Sequence, residues 1–377
     1  MSVEDSLALK YRPKKLSDII GQPVVVKAFS NAFKYNTLHH VYILEGAKGS
    51  GKTSVARIVA ATENCKKGGK DPCGKCSNCV EILKGKSIEV NEIDGASNGS
   101  VEDIRGLRKE LYQCPMECRT KYIIIDEAHD LSKKAQDSAL KMIEEPPKFV
   151  KFILCTTEAQ AIIPTIHSRC IVWKFNKVNW IEMIPLLEKV CKEEKIIYEE
   201  SSLPIITKYA KGSVRDALKN LHTVLNYNGK ETITALSVRE ALGVIDEKLY
   251  FDLIEGIINC NVISCFKSIE TMLKDGKEAR IVIDGLYEHL NNILIAKSCP
   301  NDLSSFTFSD LEIKRYSYQA SKIKGDMILI MLNLMNHIAF GIEYSLNPQV
   351  LFNKFAIEAI LAEKKSKKEI IEKKGKK

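Results

Sequence analysis

Short apolar runs alternate with amphipathic helical patterns from His39 to about Phe175. Each of the first three runs is followed by a stretch with apolar residues at helical spacing. The runs are VYILEG at 41–46, VNEID at 90–94, KYIIID at 121–126 and KFILCTT at 151–157. Strands that alternate with helices are typical of a parallel sheet covered by helices on both faces. The pattern therefore predicts an α/β domain over residues 1–178.

The strand signal fades in the second half of the chain, and the pattern becomes helical. Helical periodicity broken at Pro204, Gly212 and Gly229 predicts a small all-α domain over residues 179–243. Strong helical stripes then follow one another, which predicts a second all-α domain over residues 244–362. Such stripes are more often core or subunit contacts than cofactor sites, so we assign no chemistry to them.

The formal net charge of +8 is concentrated at the end of the chain. Residues 363–377 contain eight Lys and three Glu, a net +5, which leaves +3 for the rest. We expect this segment to be a flexible, solvated basic tail, with attraction to nucleic acid as the alternative. No segment approaches the roughly 18 unbroken apolar residues that a membrane helix needs. We therefore expect a cytoplasmic protein that does not interact with a membrane.

A phosphate-binding motif follows the first apolar run. Residues 46–53 read GAKGSGKT, which fits G-x-x-x-x-G-K-T between a strand and a helix pattern. Glycines let backbone N–H groups close around phosphate oxygens, Lys52 reaches the outer phosphates, and Thr53 can bind Mg²⁺. The predicted nucleotide-binding residues are Gly46, Gly49, Ser50, Gly51, Lys52, Thr53 and Ser54. ATP and Mg²⁺ are the predicted ligands.

Two adjacent carboxylates end the third apolar run. Asp126 is placed to hold Mg²⁺, and Glu127 to orient and polarise an attacking water. Downstream of a phosphate loop, this pair predicts hydrolysis as well as binding. The next run ends in two threonines, one of which could hydrogen-bond the γ-phosphate or the water. From spacing alone, Arg169 and Arg215 are two arginines among many.

Four cysteines are clustered within fifteen residues, CKKGGKDPCGKCSNC. Cys65, Cys73, Cys76 and Cys79 give C-x7-C-x2-C-x2-C, and four thiolates in a short loop suit tetrahedral Zn²⁺. An iron–sulfur cluster and a disulfide pair are the alternatives. Because four thiolates leave no open coordination position, we predict a structural zinc site.

These motifs together resemble the bacterial DNA polymerase III gamma/tau subunits. The resemblance is dense from residue 9 to about residue 220 and looser past 240. Besides the four cysteines, it rests on KYRPKKLSDIIGQ at 10–22, LHHVYILEGAKGSGKTS at 38–54, IDGASNGSVEDIR at 93–105, DEAHDLS at 126–132, LKMIEEPP at 140–147, HSRC at 167–170 and GSVRDAL at 212–218. It implies an AAA+ P-loop domain carrying the zinc insert, a helical lid at 179–243 and a helical collar at 244–362.

The resemblance also implies roles for individual residues. Thr157 would be the first sensor of the γ-phosphate, Arg215 the second, and Arg169 an arginine finger offered to the ATP of the next subunit. The residues implied to flank the adenine are Tyr11, Arg12, Pro13, Gly21 and Gln22. The implied partners are other gamma-type subunits with delta and delta-prime subunits in a five-membered ring, a sliding clamp, and primed DNA.

A helix predicted to follow the carboxylate pair offers a DNA-binding surface. It begins after Ser132, a plausible N-cap, and ends before Pro146. Its apolar positions would face the sheet, which leaves Lys134 and Lys141 on one outer side. From spacing alone, two solvated surface lysines are an equally good interpretation. The resemblance favours contacts with DNA phosphates by Lys141 and the region of Arg105.

The sequence thus predicts an ATP-driven motor subunit of a clamp loader, a gamma-length form in which ATP binding opens the clamp and DNA triggers hydrolysis. A delta-prime-like stator is one alternative, although stators usually lack a working phosphate loop. A non-hydrolysing scaffold and a helicase or recombination motor are the others.

Overall fold

A computed structural model describes residues 6–274, 278–303, 306, 308–342 and 347–374. The chain divides into two compact units, Met1–Leu242 and Gly243–Lys377. In the first unit the helices and strands are α1 Leu7–Lys10, α2 Pro23–Tyr35, β1 Val41–Gly46, α3 Lys52–Glu63, α4 Ser77–Lys84, β2 Val90–Asp94, α5 Val101–Leu111, β3 Lys121–Asp126, α6 Lys133–Glu144, β4 Val150–Thr156, α7 Pro164–His167, β5 Ile171–Phe175, α8 Trp180–Glu194, α9 Ser202–Tyr209, α10 Val214–Asn228 and α11 Ala235–Leu242. Short 3₁₀ helices cover Leu16–Asp18, Ala128–Asp130 and Ala159–Ala161.

Five parallel strands form one sheet in the order β2-β3-β4-β1-β5. Side chains along β1 alternate between the two faces: Val41 and Ile43 enter one apolar core, and Tyr42 and Leu44 enter the other. The predicted parallel sheet with a core on each face is therefore confirmed. The sequence prediction named four strands and missed β5, whose residues are at most partly buried apart from Phe175.

The register brings the functional strand ends together. Gly46 ends β1, Asp126 ends β3, and Thr156 ends β4, which lies between them. Parallel strands present their carboxyl ends at one edge of the sheet, where α/β proteins bind ligands. The phosphate loop and the carboxylate pair consequently lie at the same edge.

Helices α8–α11 share a separate apolar core with Val178 and with Leu7 of α1. The sequence prediction placed residues 1–178 in the α/β domain, so the position of α1 differs from it. The physical reason is local: Leu7 is the buried residue of this one-turn helix, which packs on α10.

The second unit is all-helical. Its described helices are α12 Glu247–Ile258, α13 Val262–Leu273, α14 Ala279–Ser298, α15 Asp310–Lys322, α16 Gly325–Ile342 and α17 Pro348–Lys374. Helix α17 continues through most of the predicted tail, with Glu363 buried and Lys367 Nζ donating to the Ile258 carbonyl at 2.5 Å. The segment expected to be a flexible tail thus continues helix α17 as far as Lys374, and Lys367 ties its first turns to the end of α12.

One described helix, α16, is long and apolar enough to cross a membrane by length and composition alone. Its apolar run is interrupted by Asn333 and Asn336. Ile328 and Met331 are among the residues that it buries in the helical core of the second unit. A single such helix is weak evidence for a membrane span, since core helices of soluble proteins share these properties.

Candidate nucleotide-binding site and metal centre

The phosphate loop turns directly from β1 into helix α3, as the motif predicts. Lys52 is almost fully buried, and its Nζ donates to the carbonyl oxygens of Gly46 and Ala47 at 2.7 and 3.1 Å. Ser50 Oγ is buried without a hydrogen-bond partner among the described residues. A buried hydroxyl without a partner and an ammonium group bonded to its own loop fit a site made for phosphate oxygens.

A hydroxyl and a carboxylate oxygen meet where the loop faces β3. Thr53 Oγ1 donates to Asp126 Oδ2 at 2.8 Å, and Asp126 Oδ1 accepts from the backbone N–H of Glu127 at 3.1 Å. Mg²⁺ in phosphate-transferring sites is bound by one or two protein oxygens together with phosphates and waters. The pair therefore fits the predicted magnesium ligands.

Glu127 has an unusual backbone and one carboxylate oxygen without a hydrogen bond to any described residue. Its φ of 47° lies in the left-handed region, which non-glycine residues seldom adopt. The backbone N–H of Gly95 donates to the Asp126 carbonyl at 2.7 Å, so the loop after β2 packs against this turn. Glu127 Oε2 is buried without a hydrogen-bond partner in the described residues. Such an oxygen can accept a hydrogen bond from a further group.

The end of β4 carries the predicted sensor. Thr157 Oγ1 lies 3.3 Å from His129 Nε2, and Thr156 Oγ1 lies 3.3 Å from His129 Nδ1. His129 itself was not assigned a role from the sequence. Its place two residues after Glu127 was the available signal, but a single histidine in a turn predicts nothing without its neighbours.

The start of helix α10 lies against the phosphate loop. A Cβ on Gly49 would lie 2.0 Å from Ser213 Oγ and 3.3 Å from Arg215 Cβ, so a side chain there is excluded. Ser213 also caps the helix, since its Oγ accepts from Asp216 N at 3.1 Å. The structure thus brings Arg215 next to the phosphate loop, although the two are far apart in the sequence.

Arg12 lies beside the phosphate-loop helix. Its Nε donates to Ser54 Oγ at 3.2 Å. Burial lowers the pKa of Arg12, the positive charges of Arg57 and Arg215 act in the same direction, and Glu92 and Asp126 oppose them. A guanidinium surrounded by other cations is stabilised by an added anion. Sequence reasoning placed Arg12 at the adenine, whereas these contacts bring it close to the site for the phosphates.

Other residues predicted for the adenine lie between the sheet and the lid helices. The Tyr11 hydroxyl bonds the carboxylate of Glu194 in α8. Gln22 Nε2 donates to the Asn176 carbonyl at 2.7 Å, and Asn176 N donates to Gln22 Oε1 at 3.0 Å. Gly21 has a φ of 71°, and Gly21 and Gln22 line a cavity of about 530 Å³. Pro13 is half-buried in the segment between α1 and the 3₁₀ helix Leu16–Asp18.

The contacts of Arg169 lie outside the phosphate site of its own chain. Its guanidinium contacts Glu144 Oε1 at 2.8 Å and the Thr165 carbonyl at 2.7 Å. The side chain is 41% exposed. Such a guanidinium is accessible to another molecule.

The four clustered cysteines converge on one point. Their sulfur atoms all lie within 4.8 Å of one another, and Cys73 Sγ lies 3.9 Å from Cys79 Sγ. A zinc tetrahedron with Zn–S distances of about 2.3 Å has S···S edges of about 3.8 Å. Hydrogen bonds from the backbone of Lys75 and Cys76 lower the pKa of Cys73 to about 6, which favours the thiolate. The donor set and spacing fit a four-thiolate metal site.

Two buried asparagines hold the cysteine insert against the sheet. Asn64 Oδ1 accepts from the backbone N–H groups of Arg119 and Thr120 at 2.9 and 3.0 Å. Asn78 Nδ2 donates to the Asn64 carbonyl at 3.1 Å. Because Thr120 directly precedes β3, the insert is fixed to the strand that ends in Asp126.

The predicted DNA-facing residues are exposed. Helix α6 begins after Ser132, whose Oγ accepts from Ala135 N at 3.2 Å, and its apolar residues are buried as predicted. Arg105 on α5 and Lys134 and Lys141 on α6 are solvent-exposed, and the two helices pack together. Their side chains are therefore accessible to a polyanion.

Family models match three segments of the chain. They are described as "DNA polymerase III, delta subunit" over residues 21–179, "DNA polymerase III clamp loader subunit, ATPase lid domain" over 184–221, and "DNA polymerase III subunits gamma and tau domain III" over 233–372. Together with the phosphate loop and the parallel sheet, they define a P-loop ATPase of the AAA+ class.

Sequence similarity to other bacterial proteins identifies the family of this chain. The chain is 39% identical over 267 residues to DNA polymerase III subunit gamma of Buchnera aphidicola subsp. Baizongia pistaciae, covering 70% of this chain and 72% of the relative. It is 35% identical to the subunit gamma of Buchnera aphidicola subsp. Schizaphis graminum, covering 84% and 88%. It is 33% identical to DNA polymerase III subunit tau of Escherichia coli, covering 82% and 49%. The chain belongs to the DNA polymerase III gamma/tau subunit family, and the predicted ATPase motor role in the clamp loader is confirmed.

Proposed function

We propose that this chain binds MgATP between the phosphate loop and the lid helices, and hydrolyses it in a ring that loads a sliding clamp onto primed DNA. The observation that carries the proposal is the 2.8 Å bond between Thr53 Oγ1 and Asp126 Oδ2, beside the buried Lys52 and the unpaired oxygen of Glu127. These groups supply a phosphate cradle, a metal position and a base at one sheet edge.

Each group at this edge has a distinct chemical task. Mg²⁺, held by Thr53 and Asp126, would neutralise charge that develops on the phosphate oxygens. Lys52 gives up its bonds to loop carbonyls and takes phosphate oxygens as acceptors. Glu127 Oε2 accepts the hydrogen bond of the attacking water, and Thr157 fixes the γ-phosphate from the end of β4.

Two arginines respond to the triphosphate from within the same chain. Arg215 lies beside Gly49 on the lid side, and Arg12 lies beside Ser54. Bound phosphates offset the mutual repulsion of these guanidinium groups, so binding stabilises the contact between the lid and the loop. The cavity beside Gly21 and Gln22 and the nearby Tyr11 support the adenine end of the site.

The neighbouring subunit completes the site. Arg169 is exposed and has no part in the phosphate cradle of its own chain, which supports its role as a finger offered to the next ATP. The proposed partners are other gamma-type subunits and delta-type subunits in a five-membered ring. This ring would bind the sliding clamp and primed DNA. Arg105, Lys134 and Lys141 would contact DNA phosphates without reading sequence.

The proposal is tested by ATP turnover of the purified chain, alone and with delta-type subunits, clamp and primed DNA. We expect a low basal rate that rises strongly only with all partners present. Lys134→Gln combined with Lys141→Gln should weaken the DNA stimulation and make the salt dependence of DNA binding shallower, with basal turnover unchanged. A rate near zero in every mixture, despite ATP binding, would instead favour a stator or scaffold.

We further propose that the cysteine insert holds one structural Zn²⁺. Protein purified without chelator should contain close to one zinc per chain, and Cys73→Ser combined with Cys76→Ser should abolish it. Without the metal, the buried thiols of Cys65 and Cys79 lose their shared ligand, so we expect the thermal midpoint to fall by roughly 5 °C or more.

The matched control for the zinc measurement is Cys114→Ser, a change at an exposed cysteine outside the insert. It should keep both the zinc content and the thermal midpoint. Iron in place of zinc, or full stability of the double variant, contradicts the assignment.

A further inference from the structure

His129 lies between the two threonines at the end of β4 and the carboxylate of Glu127. It lies in the 3₁₀ turn Ala128–Asp130, directly after the carboxylate pair, and its side chain is 19% exposed. The imidazole reaches across to the end of β4, where Nε2 lies 3.3 Å from Thr157 Oγ1 and Nδ1 lies 3.3 Å from Thr156 Oγ1. One rigid ring therefore contacts both threonine hydroxyls.

The same ring faces two carboxylates on its own turn. Nδ1 lies 3.7 Å from Glu127 Oε2, and Nε2 lies 3.8 Å from Asp130 Oδ1. Both distances exceed the length of a hydrogen bond, so the ring does not hold either oxygen in this state. Glu127 Oε2 is buried and lacks a partner among the described residues. A shift of about 0.5–1 Å would bring it into hydrogen-bonding distance of Nδ1.

The backbone around Glu127 restricts the other ways in which its carboxylate could be oriented. Its φ of 47° is held by packing, since a Cβ on Gly95 would lie 2.5 Å from the Glu127 carbonyl oxygen. The main chain is thus fixed, and the side chain is the part that remains free to adjust. The imidazole Nδ1, 3.7 Å away, is a polar group that this adjustment can bring into contact with the oxygen.

We infer that His129 is a positioning residue that couples Thr157 to Glu127 through its imidazole. A γ-phosphate that draws the Thr157 hydroxyl also shifts the ring, and the ring then sets the orientation of the Glu127 carboxylate towards the water. The inference rests on the proposed function of Glu127 and Thr157 and adds a link between them. No proton needs to leave the ring for this coupling, because hydrogen bonds alone transmit the displacement.

Steady-state turnover and equilibrium binding of ATP, measured on the full chain with its partners and DNA, test this role. His129→Ala should lower kcat by roughly 10-fold to 100-fold, since a misoriented catalytic group costs about that much. The Kd for ATP should change by less than about threefold, because the described contacts of His129 are with the two threonines and two carboxylates, not with the phosphate loop. His222→Ala, a change at a half-buried histidine on α10, is the matched control and should alter neither quantity.

Two conservative variants separate the two sides of the ring. In His129→Gln the new side-chain amide reaches the position of Nε2, so this variant keeps the contact with Thr157. In His129→Asn the shorter amide lies near the position of Nδ1, which keeps the contact with Thr156 and the approach to Glu127. If both sides matter, each variant should recover only part of kcat.

A double-mutant cycle gives the decisive result. If His129 acts through Thr157, then His129→Ala combined with Thr157→Ala should be no slower than the slower single variant. Independent, additive losses overturn the coupling. Unchanged kcat in His129→Ala overturns it as well, and so does a parallel loss of ATP affinity and thermal stability, which indicates a structural role only.

Glu127→Gln, measured in the same series, distinguishes a failure of the proposed function of Glu127 from a failure of the inference about His129. If that variant retains full turnover, the proposed function of Glu127 is wrong. If it loses turnover while His129→Ala does not, the proposed function stands and the inference about His129 fails alone.

Discussion

Replacing Glu127 with glutamine is expected to lower ATP turnover by roughly 10²-fold to 10⁴-fold, the usual contribution of a general base. The substitution preserves the shape of the side chain but removes the negative charge that polarises the attacking water. Lys52, Thr53 and Asp126 hold the nucleotide by other contacts, so the Kd for ATP should stay within about threefold of the unmodified chain. Turnover by phosphate release and binding of a fluorescent ATP analogue measure the two quantities.

A second acidic residue provides the control for this prediction. Glu158 follows the next strand and is exposed, so Glu158→Gln changes the same charge near the same sheet edge without touching the proposed base. Its turnover should be close to that of the unmodified chain. Full turnover in Glu127→Gln, or an equal loss in both variants, would show that another group activates the water.

Replacing Arg169 with alanine is expected to reduce turnover of the assembled complex by roughly 10³-fold to 10⁵-fold, the range known for arginine fingers. In this structure the guanidinium pairs with Glu144, and both side chains are more than a third exposed. Exposed ion pairs contribute only about 0–1 kcal/mol. Breaking the ion pair between Arg169 and Glu144 therefore costs far less free energy than the several kcal/mol that Arg169 gains by stabilising charge on a transferring phosphate.

Mixed assemblies can show that Arg169 acts between chains. An Arg169→Ala chain still binds ATP, and a Lys52→Ala chain lacks its phosphate contact but still offers Arg169. Each alone should be almost inactive, whereas a mixture contains sites that combine a working loop with a working finger and should regain part of the turnover. Arg119→Ala, at an exposed arginine elsewhere, is the control. If the mixture stays as inactive as its components, Arg169 does not act across the subunit boundary.

Much of the candidate site could be read from local sequence. The phosphate loop, the carboxylate pair at the end of a strand and the four cysteines are each contained in a short segment, and short segments with Gly, Lys or Cys at fixed spacing have few structural solutions. The cap at Ser132 is local as well, since its partner is only three residues away. These features needed no knowledge of the rest of the fold.

Other features depended on residues that are distant in the chain. Strand β5 was missed because its side chains are mostly half-buried or exposed and show no clear alternation. The predicted tail continues helix α17, and its first residue, Glu363, is buried, which the charge pattern did not reveal. The position of Arg12 near the phosphate loop came from its bond to Ser54, 42 residues away.

The sequence by itself determined the class of protein and the chemistry of its loop, carboxylates and cysteines, because those depend on the types and spacing of adjacent residues. The tertiary structure decided the strand order, the approach of Ser213 to Gly49 and the meeting of His129 with Thr157. Those contacts join residues that only the packing of the sheet and lid brings together. The choice of which distant segments pair depends on the apolar surface that they bury together, and the spacing of neighbouring residues does not fix that choice.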